Sequence, residues 1–205
     1  MINRTKIRKT LSVLITTLLI LTMVLPAFGA ASDISGHWAE KEIEKWAGNG
    51  IISGYTDGTF KPENSITRAE FVTLVSKIFN YIDKSNADFP DVNPGAWYAD
   101  AVSKAVASGI IVGDSNGNFR PNDPISRQEA AVVLTKAFKL EVSNKNAVDN
   151  FADAASVASW SRDAVSALVE RGYVSGRPGN KFAPKDNITR AEALKMIDNI
   201  AYELK

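Results

Sequence analysis

Cysteine is absent from all 205 residues, which removes a disulfide framework and thiol chemistry together. Histidine is almost absent, and His37, its one occurrence, aligns with Ala96 and Ser159 in the internal copies described below, so no repeated catalytic or metal role rests on it. A dominant charge is missing too: 24 Lys and Arg face 23 Asp and Glu, and no basic surface for nucleic acid is indicated. HExxH, a glycine-rich phosphate loop and a nucleophile–base pattern are likewise missing. Asp114-Ser115-Asn116-Gly117-Asn118 has the look of a calcium loop, but its Gly stands fourth instead of sixth. Ile125 fills the twelfth position, so an EF-hand is excluded. Carboxylate pairs for glycosidase chemistry remain formally open, but nothing singles a pair out.

What is present begins with a leader. Arg4, Lys6, Arg8 and Lys9 precede an apolar stretch from Leu11 to about Leu25, followed by the small residues Ala27, Gly29, Ala30 and Ala31. This order reads as a secretory signal peptide over residues 1–31, cleaved between Gly29 and Ser32. The competing reading is an uncleaved membrane anchor, against which the small-residue tail argues. After cleavage the chain keeps 20 Lys and Arg against 23 Asp and Glu, a net charge of −3, and no membrane contact is expected.

The remainder repeats three times. Trp38, Gly50, Gly54, Phe60, Pro62 and Ile66 map by a shift of 59 onto Trp97, Gly109, Gly113, Phe119, Pro121 and Ile125. A further shift of 63 gives Trp160, Gly172, Gly176, Phe182, Pro184 and Ile188. Such self-similarity marks an array of supersecondary units. Each unit is too small to be stable alone, so the three are expected to pack on one another as one body.

Every unit reads as helix, irregular loop, helix, giving an all-α fold. Gly50, Gly109 and Gly172 suit the left-handed position that closes a first helix. Phe60, Phe119 and Phe182 are expected to plug the core beneath the loop. Each second helix opens with a capping box: Thr67 with Glu70, Ser126 with Glu129, Thr189 with Glu192. Their apolar faces, such as Phe71, Leu74, Val75 and Ile78, would converge on a common axis.

Capping does not explain Arg68, Arg127 and Arg190. Each stands at the first helical position, where a cation opposes the helix dipole at a cost of roughly 0.3–1 kcal/mol. Two readings are even on physical grounds. The guanidinium could receive an anion beside free backbone N–H groups, or it could form a structural ion pair with an acid of the neighbouring unit. The first reading expects an Arg→Ala chain to fold nearly as before. Trp38, Trp97 and Trp160 could stack on a sugar ring, but core packing at the helix start is the default for a recurring Trp.

The Trp, the GI(I/V)xG and FxP elements and the tags Ile66-Thr67-Arg68-Ala69-Glu70, Ile125-Ser126-Arg127-Gln128-Glu129 and Ile188-Thr189-Arg190-Ala191-Glu192 together resemble the S-layer homology domain. The resemblance covers residues 33–205 and divides the chain into repeats 32–86, 87–146 and 147–205. It implies a pseudo-threefold bundle of three helix-loop-helix repeats, without catalysis or cofactor, located at the cell wall. The implied ligand is a secondary cell-wall polysaccharide whose terminal sugar carries a pyruvate ketal, bound in grooves between repeats. On that resemblance Arg68, Arg127 and Arg190 engage the carboxylate. Gly54, Gly113 and Gly176 let the ligand approach the loop backbone. The third loop departs from the pattern at Arg177-Pro178-Gly179-Asn180, which would alter its groove. A structural or assembly protein that contacts other surface-layer proteins is the alternative reading, and an exported enzyme is a third.

Overall fold

A computed structural model describes residues 33–85 and 89–203. The expected leader and the expected boundary between residues 86 and 87 lie outside the described residues. Six α-helices follow in pairs: α1 (Glu40–Gly48) and α2 (Arg68–Phe79), α3 (Ala99–Ala107) and α4 (Arg127–Ala137), α5 (Ser159–Glu170) and α6 (Arg190–Glu203). Two short 3₁₀ turns, Ala147–Asn150 and Ala154–Ser156, precede α5. Among the described residues the only β pairing is a few isolated bridges. The all-α expectation is met.

Local chemistry sets where each helix starts and stops. Gly50, Gly109 and Gly172 adopt φ of 69°, 71° and 70°. The residue after each closes the first helix with a long-range bond, Ile51 N–H to Trp46 O (3.1 Å), Ile110 to Ala105 (3.1 Å) and Tyr173 to Leu168 (2.9 Å). This is the Schellman arrangement, in which the left-handed residue satisfies carbonyls that the helix end would strand. The second helices carry the reciprocal capping bonds. Glu70 N–H donates to Thr67 Oγ1 (3.2 Å) while Thr67 N–H donates to Glu70 Oε2 (2.9 Å), and the other two tags repeat the exchange.

Phe60, Phe119 and Phe182 are fully buried, as are Ile66, Ile125 and Ile188. These three isoleucines tie the units together through their backbones. Ile66 N–H donates to Ile188 O, Ile125 N–H to Ile66 O, and Ile188 N–H to Ile125 O, each at 3.1 Å. The tag arginines extend the same cycle: Arg68 N–H donates to Asp123 O, Arg127 to Asp186 O and Arg190 to Asn64 O, all at 2.9 Å. The ring closes from repeat 3 back onto repeat 1, so the first and last units share the same backbone bonds as chain neighbours.

One device recurs without having been expected. Asp33 accepts from the N–H groups of Phe60 (2.9 Å) and Lys61 (2.7 Å). Asp91 holds Phe119 and Arg120 (2.9 and 2.6 Å), and Asp153 holds Phe182 and Ala183 (2.7 and 2.8 Å). The clamped residues Lys61, Arg120 and Ala183 all adopt positive φ, 55°, 59° and 56°. A residue with a side chain resists that region, and the carboxylate bonds offset the strain. Burial would raise the Asp33 carboxyl, but the two N–H donors hold it below its ordinary value.

Candidate functional site

The tag arginines leave their own helices and enter the next unit. Arg68 donates from Nε to Phe119 O (2.8 Å) and from Nη1 to Glu129 (3.0 Å). Arg127 reaches Phe182 O (2.8 Å), Ser175 O (3.1 Å) and Glu192 (3.5 Å). Arg190 reaches Phe60 O (2.9 Å), Ser53 O (3.1 Å) and Glu70 (3.3 Å). Their guanidiniums also lie over the plug phenylalanines, with Arg190 4.5 Å from the Phe60 ring centroid. All three are buried, at 4–6% exposure. Burial pushes the Arg68 and Arg127 guanidiniums below their ordinary value, and Glu129 and Glu192 oppose that shift.

This geometry corrects one expectation. The arginines are not spare cations at a helix end, so an Arg→Ala chain will not fold nearly as before. A forked donor reaches a carbonyl and a carboxylate from one side chain, with a second carbonyl at Arg127 and Arg190, which explains Arg at a position where the dipole disfavours it.

The acids of the capping boxes thus serve two units at once. Glu129 accepts from Ser126 N–H (2.9 Å), Ser126 Oγ (2.7 Å), Arg68 (3.0 Å) and Arg120 (2.8 Å). Burial would raise its carboxyl, but the Ser126 bonds and the two guanidiniums hold it below the usual carboxylate value. A carboxyl depressed on folding contributes its full stability above the unfolded-state value, about pH 4.3, and loses it as pH falls through the folded value. Thermal melts should therefore show Glu129→Gln less stable than the parent near neutral pH, with the gap closing below about pH 4. A gap that stays constant down to about pH 2.5 would show that the charge of Glu129 contributes nothing.

The three tryptophans also depart from the default reading. Trp38, Trp97 and Trp160 are 56%, 66% and 59% exposed, so they are not core anchors. Their following residues, Ala39, Tyr98 and Ser161, turn inward instead. The loop glycines have a packing reason. A Cβ on Gly113 would stand 2.7 Å from Phe89 Cε1, and one on Gly176 would stand 2.8 Å from Phe151 Cε1. In both loops an aromatic ring occupies the space that a side chain would need.

Two clefts gather these motifs. One, of about 290 Å³, is lined by Trp38, Arg127, Gly176, Arg177, Glu192 and Lys195 among others. The second, of about 480 Å³, includes Gly54, Tyr55, Glu70, Lys77, Trp97 and Arg190. Each draws its loop glycine from one repeat, its Arg from another and its Trp from the third. In the second cleft Tyr55 hydroxyl donates to Glu70 (3.1 Å) and its ring lies 4.7 Å from the Arg190 guanidinium. In the first, Arg177 takes the place of Tyr55 and bonds both Glu192 oxygens (2.8 and 2.9 Å). Arg68, Gly113 and Trp160 occupy the corresponding positions of the third set. There Arg120 pairs with both Asp114 (3.6 Å) and Glu129 (2.8 Å).

The model of the S-layer homology domain matches residues 32–72, 88–131 and 150–194, one match per repeat. The chain belongs to the S-layer homology family. It is 38% identical over 170 residues to an amylopullulanase of Thermoanaerobacterium thermosulfurigenes, covering 81% of this chain and 9% of that protein. It is also 38% identical over 170 residues to the exoglucanase XynX of Acetivibrio thermocellus, covering 81% and 16%. The surface-layer 125 kDa protein of Lysinibacillus sphaericus is 32% identical over 200 residues, covering 94% and 17%. The chain thus spans less than a fifth of the length of these three relatives. Membership in the S-layer homology family places the chain at the cell surface, associated with the cell wall, with its repeats as the anchor.

Proposed function

We propose that this S-layer homology chain is a non-catalytic anchor that binds a secondary cell-wall polysaccharide bearing a pyruvylated terminal sugar. The observation that carries the reading is the convergence of Arg, loop glycine and exposed Trp, one from each repeat, in a single cleft. The pseudo-threefold bundle would produce this convergence, and the closed cycle of backbone bonds supports it. In each cleft the exposed Trp offers an apolar face to a sugar ring. Arg127 or Arg190, held by two carbonyls and a glutamate, would give the ketal carboxylate the N–H groups that those acceptors leave over. The set Arg68, Gly113 and Trp160 would make a third cleft by the same rule. Contact with other surface-layer proteins is a second reading, favoured by the resemblance to the Lysinibacillus surface-layer protein.

Because the tryptophans are exposed, they test binding without disturbing the core. The double variant Trp38→Ala, Trp97→Ala should keep the parent melting temperature. It should bind purified cell walls about tenfold or more weakly, from two lost stacking contacts acting on one polyvalent surface. Parent-like sedimentation with walls would reject the clefts as the binding site. Undiminished binding of the parent to walls stripped of the polysaccharide would favour the protein-contact reading.

A further inference from the structure

The cleft between Trp38 and Arg177 does not end at α6. A second hollow of about 340 Å³ shares Tyr173, Lys195 and Asn199 with it and runs on to Arg171, Asp198 and Tyr202. The shared floor is rigid, because Asn199 Nδ2 donates to Tyr173 O (2.9 Å) and Lys195 is paired with Glu42 (2.7 Å). The far wall is fixed as well: Asp198 accepts from Lys45 and from Trp46 Nε1 (3.1 Å), which ties α6 to α1. Tyr202 stands at the outer end and is 76% exposed. The aligned positions in repeats 1 and 2 are Asn80 and Lys139, which carry no aromatic ring, and Asp198 aligns with Ser76 and Thr135. The groove, with Trp38 and Tyr202 near its two ends, thus includes repeat-3 residues that have no equivalent at the aligned positions of repeats 1 and 2.

We infer that the repeat-3 groove holds at least two consecutive sugar units of the wall glycan, the outer one stacked on Tyr202. This rests on the polysaccharide reading above and adds a subsite to it. The inner chamber, with Trp38, Arg127 and Arg177, takes the acidic end unit. The outer chamber offers the mixed lining that a neutral or amidated sugar needs, with Asn199, Arg171 and Asp198 beside an aromatic face. Length selectivity then comes from Tyr202, at a position where the other repeats carry Asn80 and Lys139.

Calorimetric titration tests it with two probes, a pyruvate-ketal methyl glycoside and a two- to four-unit fragment released from the purified wall polysaccharide. The parent should bind the fragment about three- to tenfold more tightly than the glycoside, the equivalent of one aromatic contact. Tyr202→Ala should remove that advantage while leaving glycoside affinity unchanged, and Tyr202→Phe should restore it. Equal preference for the fragment in parent and Tyr202→Ala overturns the outer subsite and leaves the anchoring reading intact. A parent that binds neither probe overturns both.

Discussion

A chain cut after residue 146 is expected to lose cooperative unfolding, and not merely one third of its binding surface. Ile188 O is the acceptor for Ile66 N–H, and Ile188 N–H is the donor to Ile125 O, so the cut opens the backbone cycle at two places. Arg127 loses Phe182 O, Ser175 O and Glu192, which all depart with repeat 3. Glu70 loses Arg190, and the apolar face of α4 loses its cover from α5. Lost bonds between units together with an exposed core face are more than a small remaining body can bear. Thermal or urea unfolding of the truncated chain should show a broad, shallow transition at a much lower midpoint. An unchanged midpoint with unchanged steepness would mean that the repeats fold independently.

The second large effect is expected at Arg190. Replacing it with Ala removes donors from Phe60 O and Ser53 O, leaves Glu70 without its guanidinium, and opens a void beside two aromatic rings. Breaking a buried pair from one side costs about 3–5 kcal/mol. Here Glu70 keeps Thr67 N–H and Tyr55 hydroxyl and is about a fifth exposed, so the lower end applies. Arg190→Lys should recover only part, because an ammonium lacks the fork that meets three acceptors. Urea unfolding measures both. An Ala variant as stable as the parent would restore the view that the guanidinium is free for a ligand and serves no structural purpose.

The legible part of this molecule is the part written in short-range grammar. Capping boxes, left-handed glycines and the plug phenylalanines depend on residues within a few positions of each other, and all stand where the sequence places them. The partners of the arginines were not legible, because Glu129, Glu192 and Glu70 lie 61, 65 and 120 residues away. An ion pair with a neighbouring unit is indeed one of the two readings that the sequence allows. The closing of the cycle from repeat 3 to repeat 1 decides which unit. The aspartate clamp escaped for a different reason. Asp33, Asp91 and Asp153 are spaced by 58 and 62, one residue out of phase with the other motifs, so the repeat register hides them. Exposure of the tryptophans follows from their small or inward-turned successors, Ala39, Tyr98 and Ser161, which fill the core in their place. The family resemblance implies ligand access for the loop glycines, whereas the rings of Phe89 and Phe151 already account for Gly113 and Gly176.

The central claim is that these clefts recognise a carboxylate on a wall glycan, and one titration addresses it directly. The parent chain is titrated with purified secondary wall polysaccharide and with the same polymer after mild acid has removed its pyruvate ketals. Loss of the carboxylate removes the charge-assisted bond between ligand and cleft guanidinium, worth about 1.5–3 kcal/mol. Affinity should fall by at least about tenfold on removal of pyruvate. Equal affinity for the two polymers would contradict it.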